Sequence, residues 1–147
     1  PDLELLCEKV QVISIRVGKA ILEQRKNFKA TDIEEKDFNN LVSFVDRAAE
    51  DELVKQLSTV FPEAGFITEE NSNRPKGIRF NWIVDPLDGT TNFVHGIPCY
   101  AVSVALADNM KPILGVIYEI NMDECFYAWK EGGAWMNGGK ISVSSTQ

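Results

Sequence analysis

The spacing of apolar residues changes at Pro62, and that change limits the folds open to this chain. Before it, Leu3, Leu6, Val10, Ile13, Val17 and Ile21 recur three and four apart, one stripe of an amphipathic helix over residues 2–26. Residues 27–40 are polar, with acids and lysines mixed, and read as a loop. A second stripe follows in Val45, Ala49, Leu53, Leu57 and Val60, with Ser43 and Asp46 as a capping signal at its start and Pro62 as its stop. Both stripes read as core packing. Near a helix start, the Asp46 carboxylate is favourable against the dipole whatever else it does.

Beyond Pro62 the texture is that of strands. Residues 65–68 are short and β-prone and end in Glu69-Glu70; a polar linker over 71–80 precedes the strand 81–84. Runs at 101–107, 113–119, 125–130, 134–136 and 141–143 follow, separated by turns rich in Asn, Asp and Gly. Short strands joined by such turns predict an antiparallel sheet. The expected fold class is α+β, with two long helices packed on one face of an antiparallel β-sheet.

Composition narrows the function classes. A chain of 147 residues, 44% apolar and 25% charged, is one domain's worth of ordinary globular sequence. Fifteen Lys and Arg stand against 22 Asp and Glu, a net charge of −7, which argues against nucleic acid as a partner because phosphate backbones need a basic patch. Cys7, Cys99 and Cys125 are odd in number and widely spaced, a pattern of reduced thiols in a cytoplasmic protein rather than of a disulfide framework or zinc site. No apolar run is long enough to span a membrane, and no signal-peptide layout opens the sequence. A start at Pro1 rather than Met is expected to be a trimmed one.

Chemistry concentrates in Asp85-Pro86-Leu87-Asp88-Gly89-Thr90. A strand ending at Asp85 puts its carboxylate at the sheet edge, Pro86 stiffens the next turn, and Gly89 permits Asp88 to fold back beside it. Two carboxylates about 5 Å apart repel by roughly 3 kcal/mol at an effective dielectric near 20. A proton, a base or a cation must offset that. No Lys or Arg occurs between Arg79 and Lys111, which favours the cation. All-oxygen ligands suit Mg²⁺, Ca²⁺ or Mn²⁺ better than zinc, and the alternating acids of an EF-hand are absent. Taken alone, these residues read equally as a plain Asp-Gly turn with a capping Thr. Glu69-Glu70 tip the weighing: if the two strands pair, four acids converge on one edge. A helix starting after Thr90 would add backbone N–H groups for an anion.

The run 82–93, Trp-Ile-Val-Asp-Pro-Leu-Asp-Gly-Thr-Thr-Asn-Phe, continued by Val94-His95-Gly96, resembles the signature of the inositol monophosphatase family. Phe66-Ile67-Thr68-Glu69-Glu70-Asn71 is similar to its Gly-Glu-Glu-Ser segment, with Thr68 and Asn71 in place of glycine and serine. Asn40-Leu41-Val42-Ser43 with Asp46 is similar to its Asp-Leu-Val-Thr-x-x-Asp helix start, and Gly132-Gly133-Ala134-Trp135 with Asn137-Gly138 to a mid-chain hairpin. The resemblance implies the N-terminal half of a layered αβαβα sugar-phosphatase fold. It implies Mg²⁺, two or three ions with Mn²⁺ as a substitute, on Glu69, Asp85, the Leu87 carbonyl and Asp88. Glu69 and Thr90, aided by Asp46, would activate water; Asp88, Gly89 and Thr90 would seat the substrate phosphate. Lys36 lies near a family loop lysine, and His95, the only histidine, has a structural or capping role as its simplest reading.

What the resemblance implies for function is Mg²⁺-dependent, lithium-sensitive hydrolysis of a small phosphate monoester, inositol phosphate or a similar polyol phosphate. Fructose-1,6-bisphosphate and nucleotide bisphosphates are the alternatives. Family chains are about twice as long and carry a later Trp-Asp metal ligand, whereas Trp82, Trp129 and Trp135 are followed by Ile83, Lys130 and Met136. The expectation is therefore an N-terminal portion, incompetent alone, that binds metal or a partner, with a homodimer left open.

Overall fold

A computed structural model describes residues 1–28, 35–69 and 74–147. Helix α1 spans Leu3–Asn27 and α2 spans Glu35–Val60; the strands are β1 (Gly65–Thr68), β2 (Phe80–Asp88), β3 (Ala101–Asp108), β4 (Lys111–Glu119), β5 (Glu124–Trp129), β6 (Gly133–Met136) and β7 (Gly139–Ile141), with a short helix α3 (Thr90–His95) after β2. All seven strands form one sheet in chain order. The two long helices lie on one face of it, as the change of period at Pro62 predicts.

Three details differ from the sequence expectations. The sheet is mixed: β1 pairs parallel with β2, and only the remaining pairs are antiparallel. A parallel pair needs a crossover rather than a hairpin, and the segment 69–79 supplies its length. Second, the expected loop over 27–40 is helical from Glu35 onward. Glu35 and Lys36 are good helix formers, whereas Asp37, Asn39 and Asn40 are not; Leu41 and Val42 extend the apolar stripe of α2 upstream onto the core, and that packing outweighs the weak local propensity. Ser43 is thus exposed within the helix rather than at its cap, and its carbonyl accepts from Arg47 Nε. Asp46 lies well inside α2, so the dipole explanation for it fails. Third, β2 runs through Pro86 to Asp88 instead of ending at Asp85. Residues 29–34 of the expected loop, the Lys36 side chain, and Glu70 with Asn71 lie outside what is described.

The core forms between the helices and alternate residues of the strands. Val10, Ile13, Val17 and Ile21 of α1 and Val45, Ala49, Leu53 and Leu57 of α2 are buried, as are Trp82 and Val84 of β2, Val102, Val104 and Leu106 of β3, and Leu114, Val116 and Tyr118 of β4. Phe61, just past α2, meets Phe80 edge-to-face with centroids 5.1 Å apart, a favourable quadrupole geometry. Burial raises the thiols of Cys7 and Cys125, the latter to about 11, keeping them protonated and inert. All three cysteines are free, and among the described residues no helix is long and apolar enough to cross a membrane.

Helix α1 approaches the sheet closely at Gly18, which sits so tightly against the Tyr118 ring that a methyl group would overlap it. Tyr118 cannot easily yield, because its hydroxyl donates to Asp123 Oδ1 at 2.6 Å. Helix propensity favours Ala over Gly by about 1 kcal/mol, while overpacking costs about 1–3 kcal/mol. We expect the clash to win, with Gly18→Ala lowering stability by up to about 2 kcal/mol in urea denaturation once the propensity gain is subtracted; a stabilised variant would show that the helix slides freely on the sheet.

Candidate metal and phosphate site

The site begins with the register of β1 on β2. Thr68 pairs with Val84 in parallel, so the next residue of each chain, Glu69 and Asp85, leave the pair at the same edge. An antiparallel β1 would have carried Glu69 to the far end of β2. The crossover is stitched down by backbone contacts: Phe66 N donates to Pro75 O at 2.8 Å, and Asn81 Oδ1 and Nδ2 bracket Gly77 through its N–H and carbonyl. Gly65 and Gly77 lie backbone against backbone, with no room for a side chain on either. Arg74 anchors the same crossover to α2 through the buried Glu50 at 2.9 Å and through Asp51.

The second device is a bulge. Asp85 stands opposite Ser103 and Asp88 opposite Ala101, so β2 spends three steps where β3 spends two. Residues three apart on a regular strand face opposite sides; the extra residue cancels that and returns Asp88 to the face of Asp85. Asp85 Oδ1 also accepts the Leu87 amide at 3.3 Å, tightening the bend. Pro86 fits there because the bulge releases it from the ladder. Gly89 then takes a left-handed conformation, φ 96°, and begins α3 without a side-chain cap. A Cβ there would press on Cys99 O and Tyr100, so the turn needs glycine twice over.

Glu69, Asp85 and Asp88 therefore act on one another. The Asp85 carboxyl is pushed up to about 6, first by burial, then by the charge of Glu69 and a hydrogen bond shared with it, then by Asp88; the Leu87 amide opposes this. Among the described residues, every side chain acting on it is acidic. Glu69 and Asp88 are exposed on either side of the half-buried Asp85, so the three share a neighbourhood without forming a closed cage. Among the described residues no set of three His, Cys, Asp or Glu side chains is gathered as a preformed metal site. The donor chemistry nevertheless fits a hard divalent cation, which binds oxygen ligands of this kind.

Thr90 opens α3, half-buried, and the side chain of Leu87 is buried beneath the bend. Asp46 is buried in α2, the helix that packs on β2 and touches α3. His95 is exposed in the last turn of α3. One residue escaped the sequence reading: Arg25, at the end of α1, donates from Nε to Phe93 O at 3.0 Å and lies 5.9 Å from the Phe93 ring centroid. It ties α1 to the C-terminal end of α3, while Asn92 Nδ2 donates to Cys99 O at 2.8 Å on the other side. A basic residue in a last helical turn reads as a dipole complement, so nothing in the sequence distinguished it.

Residues 2–147 match the model of the inositol monophosphatase family. A fructose-1,6-bisphosphatase/inositol-1-monophosphatase of Aquifex aeolicus is 32% identical over 99% of this chain and 55% of its own length. The inositol monophosphatase of Dictyostelium discoideum is 38% identical over 89% of this chain and 49% of its own. A histidinol-phosphatase of Chlorobaculum parvum is 34% identical over 99% of this chain and 54% of its own. Among solved structures, the extragenic suppressor protein suhB of Bartonella henselae superposes with a TM-score of 0.80 at 34% identity, covering 99% of this chain and 56% of that one. The chain spans about half the length of the relatives it matches. With the family model matched along nearly its whole length, the chain belongs to the inositol monophosphatase family.

Proposed function

We propose that this chain is the N-terminal portion of a Mg²⁺-dependent phosphomonoesterase acting on inositol phosphate or a similar polyol phosphate. The observation that carries the reading is the convergence of Glu69, Asp85 and Asp88 at the paired ends of β1 and β2, with only acidic side chains acting on Asp85 among the described residues. Glu69, Asp85, the Leu87 carbonyl and Asp88 would hold the Mg²⁺, two or three ions in all, with Mn²⁺ as a substitute. When bound, such ions supply an activated water and neutralise charge on a phosphoryl group. Glu69 and Thr90, aided by Asp46, would orient the attacking water, with a carboxylate of that set taking its proton. Gly89 and Thr90, beside Asp88, seat the substrate phosphate, with the left-handed Gly89 letting the backbone approach closely. A cytoplasmic setting and lithium sensitivity belong to the same reading. The names of the Aquifex and Chlorobaculum relatives keep fructose bisphosphate and other small phosphate esters open as substrates.

The second reading, that this stretch alone binds metal without turnover, is favoured by the sheet's outer face. Opposite the helices, Ala105, Gly115, Ile117, Phe126 and Ala128 line an open apolar cavity of about 310 Å³, and Ile117 is 49% exposed. We attribute that face to contact with the remainder of the parent protein, or with a second copy where homodimers form. An uncovered apolar patch of this kind drives association. The isolated chain should therefore self-associate with rising concentration in sedimentation velocity, and Ile117→Asp should restore a monomer; a monomeric wild type would remove this argument.

Two measurements test the site itself. In the parent protein, Asp88→Asn should lower Mg²⁺-stimulated phosphate release by about a hundredfold or more, by loss of charge that stabilises the transition state. An unchanged rate, or no Mg²⁺-stimulated release in the wild type, would end the phosphatase reading. In the metal-free chain, a carboxyl whose folded pKa lies near 6 rather than 3.8 penalises folding where it is ionised, above pH 6, and the penalty fades as pH falls towards 4. Asp85→Asn should then stabilise the chelator-treated protein by about 1 kcal/mol at pH 7.5, a figure already discounted for solvent screening. By pH 4.5 the advantage should be nearly gone. Equal destabilisation at both values would mean that the carboxylates do not repel.

A further inference from the structure

At the sheet edge remote from β1, the helix-covered face ends in three aromatic side chains. Tyr127 and Trp129 alternate along β5, and Trp135 stands opposite Tyr127 on β6. The rings lie nearly parallel: Tyr127 and Trp129 are 6.5 Å apart at 5°, Trp129 and Trp135 6.1 Å apart at 6°. Their backing is fixed, since Gly132 packs so closely on the Trp129 indole that no side chain fits between them. The polar atoms of two of them are already engaged: Tyr127 Oη accepts from Gly138 N at 3.1 Å, and Trp135 Nε1 donates to Gly132 O at 2.8 Å. Apart from the Trp129 indole N–H, what the three half-buried residues present to the recess is aromatic ring surface.

Those rings line a recess of about 340 Å³ whose opposite wall is the start of α1, with Glu4 and Glu8 one helical turn apart. Both glutamates are exposed, and neither is salt-bridged among the described residues. Like charges in that spacing repel, so the pair gains from a cation. A cation already visits the cluster: Lys140 Nζ lies 6.0 Å from the Trp135 ring centroid. The three rings are half-buried and open onto carboxylates that no salt bridge neutralises among the described residues.

We propose that the recess binds a quaternary ammonium cation of the choline type. Aromatic faces attract such a cation through their quadrupoles, the glutamates supply the compensating charge, and a cation without N–H groups asks for no acceptor on the side where it meets the rings. Tryptophan fluorescence reads this directly, because Trp82 is fully buried while Trp129 and Trp135 face the recess. Choline chloride, titrated at constant ionic strength, should give a saturable change, and the neutral isostere 3,3-dimethyl-1-butanol should bind about tenfold more weakly or worse. Lys140→Met, which removes the internal competitor, should tighten choline about threefold, and the surface pair Glu4→Gln with Glu8→Gln should weaken it about threefold. Trp135→Leu should abolish the response, with circular dichroism confirming the fold. Equal binding of the isostere, the absence of any saturable signal in the wild type, or binding that survives both the Trp135 and the glutamate changes would overturn the proposal.

Discussion

The parallel pairing of β1 with β2 is the constraint on which the rest of the site depends. It is a short contact, four residues on each side, and parallel ladders are slightly weaker per residue than antiparallel ones. What makes it hold is the crossover behind it: two glycines in backbone contact, the side-chain amide of Asn81 closing on Gly77, and Arg74 reaching the buried Glu50. A buried carboxylate with its partner removed is strongly destabilising, so Arg74 and Glu50 hold each other in place. The consequence is chemical. Glu69 emerges beside Asp85 because the two strands run the same way.

The acids are then concentrated by geometry that opposes their mutual repulsion. The bulge on β2 turns Asp88 to the side of Asp85, and the buried Trp82 and Val84 on the reverse face keep the strand from rotating to separate them. Burial and two like charges raise Asp85, so the metal-free fold carries an electrostatic cost located at this edge. The hydrophobic core supplies the stability that tolerates it. Local cost held by distant packing is a familiar mark of functional sites.

Much of this was legible in the sequence, for identifiable reasons. The stripes of α1 and α2 and the turn-separated strands follow from periodicity, a local property. The direction of β1 does not: four residues, Gly65-Phe66-Ile67-Thr68, pair equally well either way, and only the length and anchoring of the crossover decide. The start of α2 is not legible because Glu35 to Asn40 is polar but for Phe38, and polarity reads as loop until Leu41 and Val42 are known to reach the core. Asp46 was placed near a helix end for the same reason. The bulge was hidden because Pro86 argues against a strand unless a register shift is already known. Arg25, tying α1 to α3, was beyond reach, since its partner is a backbone carbonyl far along the chain.

The two faces of the sheet are unequal, and the site sits where that matters. Asp85 and Asp88 stand opposite Ser103 and Ala101, on the side that carries Ala105 and Ile117 and not the side packed by the helices. Solvent now reaches that side and screens the carboxylates. On the proposed reading the rest of the parent protein covers it, which lowers the local dielectric and strengthens every charge interaction there. Repulsion among Glu69, Asp85 and Asp88 would rise with coverage, and so would the attraction of all three for a divalent cation. Closing the apolar face and loading the metal would then be coupled events, each making the other more favourable. The half-exposed Asp85 of this chain is the uncoupled end of that equilibrium.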